Sequence, residues 1–153
     1  MEKSAKWLHM TKKHHTGSDL LKPRSNNPGL HPRWKGIIFQ PIGIVAHEIG
    51  HALGFWHTHS RYDRDQFITV LEENINDTFI DEFLKQSNET NNNYGLTYDY
   101  GSVMHYGARA AALGENFTMV PKDVMYTETL GSPFIAFYDL LMMNMYYNCT
   151  GTH

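Results

Sequence analysis

The pattern HExxHxxGxxH constrains this chain more than any other part of its sequence. His47 and His51 stand four residues apart, so on a helix they project from one face, one turn above the other. Glu48 lies beside His47 and can reach a water on an ion held by the two rings without itself binding that ion. Gly54 can adopt the left-handed conformation that ends a helix, and that turn would bring His57 back as a third nitrogen ligand.

Zinc is the metal that this ligand set predicts, because three neutral imidazoles and one open position are typical of catalytic zinc. Two other interpretations stay open. A histidine pair at helical spacing is often a solvated face, and HExxH alone matches many sequences by accident. A chance match to the longer pattern has a probability of about one in 10⁴ at this composition. We therefore predict one zinc ion per chain, held by His47, His51 and His57.

Two further segments resemble the astacin family of metzincin proteases. GFWHxxxRxDRD overlaps the end of the first pattern, and residues 98–106, YDYGSVMHY, resemble the Met-turn of that family. The resemblance covers roughly residues 41–149 and is weakest between residues 107 and 135. It implies an α+β, metzincin-like catalytic domain with a zinc helix, a Met-turn and a C-terminal helix, in which the upper sheet is partly missing.

A thermolysin-like site is the nearest alternative among zinc enzymes. That class takes its third metal ligand as a glutamate from a later helix. The turn at Gly54 and the histidine at position 57 argue against it.

The resemblance also gives roles to the Met-turn residues. Met104 is expected beneath the zinc as an apolar floor for the histidine ligands, a place that suits a polarizable thioether. Tyr106 is expected near the zinc, where its phenol could bind the metal weakly in the resting state and then swing to hydrogen-bond the oxyanion. A phenol can do both because it is acceptor and donor. Without the family context, a buried tyrosine bonded to the backbone explains Tyr106 equally well. His105 is expected to support the structure rather than to bind metal.

The implied activity is that of a zinc-dependent endopeptidase acting on protein or peptide substrates. Zinc would lower the pKa of its bound water to about 7. Glu48 would take the proton as general base and pass it to the leaving amine, and Tyr106 would help to stabilise the oxyanion. The alternative is a catalytically weak or inactive zinc-binding homologue that acts as a structural or binding module. It stays open because Thr58 stands where astacins have a glutamate that pairs with a buried N-terminal ammonium.

Composition limits the partners and the location. A chain of 153 residues with a net charge of −3 is one domain by length and gives no reason to expect nucleic acid or an anionic membrane as partner. No apolar run reaches the roughly 18 residues of a transmembrane helix, and the polar start of the chain is not a signal peptide. Astacins are typically secreted, and N-glycosylation sequons begin at Asn76, Asn88, Asn116 and Asn148. We therefore expect an extracellular glycoprotein. Either its signal and propeptide lie upstream of this chain or the chain is truncated, and we favour truncation.

Cys149 is the single cysteine of the chain. It resembles the last cysteine of the astacin C-terminal helix, which in that family pairs with a cysteine near the mature N-terminus. Residues 1–148 contain no cysteine, so the family disulfides cannot form within this chain, and Cys149 is expected to be a buried or free thiol. The sequence does not predict an oligomeric state.

The chain divides into an irregular N-terminal segment, residues 1–36, and an astacin-like peptidase domain, residues 37–153, that is incomplete upstream. Residues 37–39 are a short apolar run and the only part of this region that resembles a strand of the family's sheet. Pro41 suits the first turn of the zinc helix.

The zinc helix has apolar residues at spacings of three and four, which predict that one face lies in the core while the histidines face the cleft. These residues are Ile42, Val45, Ile49 and Leu53. Gly43 and Gly50 lower helix propensity, and close packing would explain why they are tolerated.

Downstream, residues 67–71 are expected to form a short strand or a helical turn, and residues 76–86 a short helix. The apolar side chains of the latter region are assigned to the core: Ile75, Phe79, Ile80 and Phe83. In the loop after the zinc helix, ion pairs are expected among Arg61, Asp63, Arg64 and Asp65.

The C-terminal helix is predicted over residues 134–147. Ser132 would be its N-cap, and Pro133 its first residue. Its methionines are more typical of core filler than of a second metal site: Met142, Met143 and Met145.

Overall fold

The computed structural model describes residues 34–149, with side chains from residue 42 onward. In the described chain the first element is helix α1 (Trp34–Ala52) and the last is helix α2 (Phe137–Tyr146). Two short strands, β1 (Ile68–Val70) and β2 (Met119–Pro121), lie between them in the sequence. The connections contain 3₁₀ helices at Thr58–Ser60, Arg64–Gln66, Glu72–Asn74, Asp77–Phe83 and Val124–Thr129. Helices beside a small antiparallel sheet confirm the α+β class. Neither α-helix of the described range combines the length and apolar character needed to cross a membrane.

The strands β1 and β2 pair antiparallel, with Ile68 opposite Pro121 and Val70 opposite Met119. Successive side chains of a strand point to opposite faces. Ile68 and Met119 are accordingly buried, whereas Thr69 is exposed. The predicted strand or helical turn in this region is therefore a strand.

The hydrophobic core lies around this sheet. Its buried members are Ile68, Ile75, Phe83, Tyr98, Ala108, Met119 and Leu130. Phe79 and Ile80 pack against it, which confirms the core role predicted for this apolar set. The short helix predicted over residues 76–86 is present but shorter, because the segment is a 3₁₀ helix at Asp77–Phe83 that is followed by an extended Leu84. With three residues per turn, side chains three apart align, which brings both Ile80 and Phe83 to the core.

Helix α1 begins at Trp34, so Pro41 lies inside the helix and not in its first turn. A proline inside a helix removes one backbone hydrogen bond and its ring crowds the preceding turn, so proline favours the first turn of a helix but does not by itself fix where a helix begins. Residues 37–39 are helical and not strand-like. Most of residues 1–36, for which irregular structure is predicted, lie outside the described range. The three that lie within it, residues 34–36, are helical.

The apolar stripe of α1 does not lie in the core, and that prediction is wrong. Its side chains are 58%, 57%, 53% and 39% exposed at Ile42, Val45, Ile49 and Leu53, respectively. The helix contacts the rest of the described chain through its glycines instead. A Cβ added at Gly43 would lie 2.7 Å from the Cα of Pro133, and one at Gly50 would lie 2.5 Å from the sulfur of Met104. Close packing, as predicted, explains both glycines.

Helix α2 begins at Phe137, three residues later than predicted, and Ser132 does not cap it. The Ser132 hydroxyl instead accepts a bond from the Phe134 N–H (3.1 Å) in a local turn. The N-cap is Ala136, whose N–H donates to the Asp139 carboxylate at 2.8 Å. Since that carboxylate binds a backbone donor at the first turn, it determines where the helix starts. The methionines of α2 are half-buried, consistent with packing rather than with metal binding: Met142, Met143 and Met145.

Candidate metal centre

Three histidine nitrogens meet at one point. The Nε2 atom of His47 lies 3.0 Å from that of His51 and 3.1 Å from that of His57, and the last two are 3.1 Å apart. Helix α1 places the first two rings one turn apart. Gly54, with φ +111°, then reverses the chain toward the third. A tetrahedral ion with nitrogen bonds of 2.0–2.1 Å holds its ligand atoms about 3.3 Å apart, so the cluster has the dimensions of a metal site.

Hydrogen bonds at the far side of two of these rings determine which nitrogen faces the centre. The Nδ1–H of His47 donates to the Val103 carbonyl at 2.7 Å, and that of His51 donates to the Phe55 carbonyl at 2.9 Å. In a neutral imidazole the other nitrogen then carries a lone pair. Two lone pairs 3.0 Å apart repel each other unless a cation lies between them. The donor set therefore fits a metal ion, and carbonyls that orient ligand rings in this way are typical of metal sites.

The Met-turn contacts both segments that carry these histidines. Val103 orients the His47 ring, and the Met104 carbonyl accepts from the Thr58 N–H at 3.0 Å. The Met104 side chain is 1% exposed and lies against Gly50 of α1. The structure thus places Met104 against the helix that carries His47 and His51.

The two residues predicted to take part in catalysis lie beside the cluster. The Tyr106 ring centroid is 4.5 Å from that of His57. Burial raises the pKa of Tyr106, and the charges of Glu82 and Glu48 raise it further. The phenol is therefore a hydrogen-bond donor at neutral pH. Glu48 is exposed on α1, within electrostatic reach of that phenol.

A chain of hydroxyl groups connects the zinc motif to helix α2. The Thr58 hydroxyl donates to the Ser102 hydroxyl at 3.0 Å, which donates to the Asp139 carboxylate at 2.6 Å. Asp139 is buried and also accepts from the N–H groups of Val103 and Ala136. Neither Ser102 nor this function of Asp139 was predicted from the sequence. The signal that could have pointed to it was Asp139 itself, the only acidic residue of the mostly apolar helix α2.

His105 supports the Met-turn, as expected. Its Nδ1–H donates to the Tyr106 carbonyl at 2.6 Å, and its Nε2 accepts from the Tyr98 hydroxyl at 2.7 Å. Burial lowers the pKa of His105 to about 4. Within residues 34–149, the one group of histidine, cysteine or acidic side chains close enough to hold a metal is His47, His51 and His57.

The loop after His57 is held by ion pairs, as predicted. Arg61 forms a two-pronged pair with Asp63, at 2.9 and 2.8 Å, and also donates to the carbonyls of Leu96 and Thr97. Arg64 pairs with the partly exposed Asp65 at 3.2 Å. The Arg61–Asp63 pair is nearly buried. It positions the residues that begin the Met-turn segment relative to the loop after His57.

A helix with two histidines, a third after a glycine turn and a methionine turn against the helix together form a candidate metal site of the metzincin type. The sequence profile of the peptidase family Astacin matches residues 38–148. The chain therefore belongs to the astacin family, and the resemblance noted from the motifs is confirmed.

Individual relatives agree with this assignment. Zinc metalloproteinase nas-31 of Caenorhabditis elegans is 49% identical over 110 residues, which cover 72% of this chain and 18% of that protein. Zinc metalloproteinase dpy-31 of the same organism is 42% identical over 108 residues, 69% of this chain and 18% of that protein. The chain thus spans less than a fifth of the length of these relatives.

A solved structure shares the fold. High choriolytic enzyme 1, a hatching enzyme zinc-protease from the medaka Oryzias latipes, superimposes with a TM-score of 0.61 at 32% identity, covering 70% of this chain and 52% of that one. The metzincin-like α+β fold is thereby confirmed. Zinc is the metal of this family, and the three-histidine cluster can hold it.

Proposed function

We propose that this chain hydrolyses internal peptide bonds of protein or peptide substrates, with zinc held by His47, His51 and His57. The observation that carries the proposal is the convergence of three Nε2 atoms within 3.1 Å of one another, two of them with lone pairs directed inward. Membership in the astacin family supports it.

When bound, zinc would lower the pKa of a water molecule and polarise the scissile carbonyl. Glu48 takes the proton that the attacking water loses and delivers it to the nitrogen of the leaving amine. Tyr106 donates its phenol proton in a hydrogen bond to the carbonyl oxygen as negative charge develops there. Water adds to the carbonyl carbon and the C–N bond breaks, so no covalent intermediate with the protein forms.

We also propose that the chain functions outside the cell, as astacins typically do. The sequon asparagines at 88, 116 and 148 are exposed, so each is compatible with an attached glycan in the folded chain. Asn76 is half-buried, and its side-chain oxygen accepts from the Thr78 N–H at 3.0 Å, which makes it the poorest acceptor of the four.

A zinc-binding module with little or no turnover is the second candidate. The observation that favours it is Thr58, which occupies the position of a charged residue in astacins and whose hydroxyl makes a neutral hydrogen bond to Ser102. Both candidates share the metal and differ in hydrolysis.

The deciding experiment compares wild type with Glu48→Gln and with a control, Glu82→Gln. Both carboxylates raise the pKa of Tyr106, so the control matches the electrostatic change without removing the residue next to His47. We expect Glu48→Gln to lower kcat/KM on a quenched fluorescent peptide library by about 10²–10⁴-fold. The control should stay within about threefold, and all three proteins should hold one zinc by elemental analysis.

Two results would contradict the proposal. Equal, slow hydrolysis by wild type and Glu48→Gln, with zinc bound in both, assigns the chain to the binding-module alternative. Wild type that carries no metal after reconstitution removes the basis of both candidates.

A further inference from the structure

His59 is a fully buried histidine beside the metal centre that the proposed mechanism does not use. It lies in the 3₁₀ helix that follows His57, and its side chain is 0% exposed. Both ring nitrogens are engaged by the backbone. The Nε2–H donates to the Glu82 carbonyl at 3.1 Å, and Nδ1 accepts from the Tyr106 N–H at 3.4 Å. A ring so bonded is neutral, has one tautomer and has no nitrogen left for a metal.

The His59 ring also stacks on two functional rings at once. Its centroid lies 4.9 Å from that of His57, with an interplanar angle of 19°, and 4.3 Å from that of Tyr106, with an angle of 30°. His57 and Tyr106 are themselves 4.5 Å apart, so the three rings form a closed triangle. Phe83 packs on the outer side of His59 at 5.4 Å and limits its movement.

We propose that His59 is a positioning residue that sets the ring planes of the ligand His57 and the oxyanion donor Tyr106. This inference rests on the proposed function of the site. Only an imidazole combines a flat stacking surface with a donor at one edge and an acceptor at another. The donor anchors His59 to the segment at Glu82, the acceptor holds the Tyr106 backbone, and the ring face orients both neighbours.

Three substitutions separate these contributions. His59→Phe keeps a flat ring and loses both hydrogen bonds. His59→Asn keeps an acceptor near the position of Nδ1 and loses the ring. Ser60→Ala is the matched control, because the buried Ser60 hydroxyl donates to the same Glu82 carbonyl at 3.4 Å.

The first readout is independent of hydrolysis. Cobalt(II) replaces zinc, and its visible absorption reports the arrangement of its ligands. We expect His59→Phe to shift that spectrum and to weaken zinc binding by about 10–100-fold in a chelator competition, the range found for residues that orient metal ligands. Ser60→Ala should keep the wild-type spectrum and an affinity within about twofold.

The second readout is kinetic. We expect His59→Phe, saturated with zinc, to lower kcat by about 10-fold or more with KM changed less than about threefold, because the ring positions groups that act at the transition state. A folded His59→Phe with the wild-type cobalt spectrum and wild-type kcat overturns the inference.

A double-mutant cycle covers the case in which His59→Phe does not fold. The cycle combines His59→Asn with Tyr106→Phe. If His59 acts through Tyr106, the loss of kcat in the double variant is clearly smaller than the product of the single losses. Losses that multiply within about twofold overturn the inference. Wild type that binds no cobalt overturns the proposed function as well, whereas a His59→Phe protein with both the wild-type cobalt spectrum and the wild-type kcat overturns this inference alone.

Discussion

The sulfur of Met104 occupies the space that a side chain at Gly50 would need. A Cβ added at Gly50 would lie 2.5 Å from that sulfur and 3.3 Å from the terminal methyl. Met104 is 1% exposed, so its side chain has little free volume into which to move. The helix that carries two of the candidate ligands and the turn against it therefore fit together only with glycine at position 50.

Overpacking usually costs about 1–3 kcal/mol, and the gain in helix propensity from Gly to Ala, about 1 kcal/mol, offsets part of that cost. Gly50→Ala should therefore lower the stability of the metal-free chain by up to about 2 kcal/mol. Zinc affinity should fall as well, since the displaced turn also carries the carbonyl that orients His47. Urea unfolding and zinc competition measure the two effects.

The control for this variant is Gly101→Ala, whose added Cβ would meet only a carboxylate oxygen of Asp99, at 3.6 Å. Its stability should change by less than about 1 kcal/mol. A Gly50→Ala protein as stable as wild type would show that Met104 moves freely, contrary to the packing described.

Asp139→Asn should destabilise the fold by about 1–3 kcal/mol. The carboxylate accepts bonds from the Ser102 hydroxyl and from the N–H groups of Val103 and Ala136. An amide supplies only one acceptor oxygen and adds donors with no partner in a buried site. Thermal and urea unfolding measure the loss.

Asp123→Asn is the matched control, because Asp123 also caps a helix, accepting from the Met125 N–H at 3.0 Å, but is exposed. Its effect should stay below about 1 kcal/mol. Equal effects at the two positions would mean that Asp139 acts only as a helix cap and does not connect α2 to the Met-turn.

Metal-free protein should lose stability as the pH falls from about 6.5 toward 4. Burial lowers the pKa of His105 to about 4, and burial followed by the neighbouring His105 lowers that of His59 well below its ordinary value. These pKa values are depressed in the folded chain, so below about pH 6.5 the unfolded chain binds more protons. The contribution of these two histidines to the free energy of unfolding is therefore fully present above about pH 6.5. As the pH falls to about 4, His105 alone accounts for a loss on the order of 3 kcal/mol.

Urea unfolding of the chelated chain at several pH values between 7.5 and 4.5 measures this decline. His105→Asn provides the comparison, since it removes one of the two buried rings. Its stability should depend less steeply on pH than that of wild type, whatever its absolute value. Identical slopes would contradict a buried, neutral His105.

Removal of zinc should lower the thermal midpoint of unfolding. A ligand that binds only the folded chain stabilises it by about 2.7 kcal/mol at a concentration one hundred times its Kd. Zinc should therefore raise the midpoint of wild type, and His51→Ala should abolish that rise. Magnesium is the control ion, because it prefers oxygen ligands over imidazole and should have no effect.

Much of the metal centre could be predicted from the sequence because its geometry is local. The spacing of His47 and His51 determines that both rings share a face of any helix containing them. Gly54 permits the turn that brings His57 back, and its φ of +111° is one that other residues rarely adopt. These features depend on a few neighbouring residues and on the backbone alone.

The sequence predicted less well where each helix begins and which of its faces packs against the rest of the chain. An apolar stripe indicates that a helix has two faces, but not which face contacts the described part of the chain. In α1 the glycine face does, since Gly43 and Gly50 allow Pro133 and Met104 to approach closely. Likewise α2 begins where Asp139 finds a backbone donor, and not where a serine and a proline suggest a cap.

The sequence by itself predicted the three candidate ligands and the neighbouring carboxylate and identified the family, because short-range spacing carries that information. Only the tertiary structure decided what surrounds them. The stacking of His59 on Tyr106, and the bond that joins Ser102 to Asp139, bring together residues that are far apart in the chain. Such contacts depend on how all the segments pack at once, and no local pattern of residues specifies them.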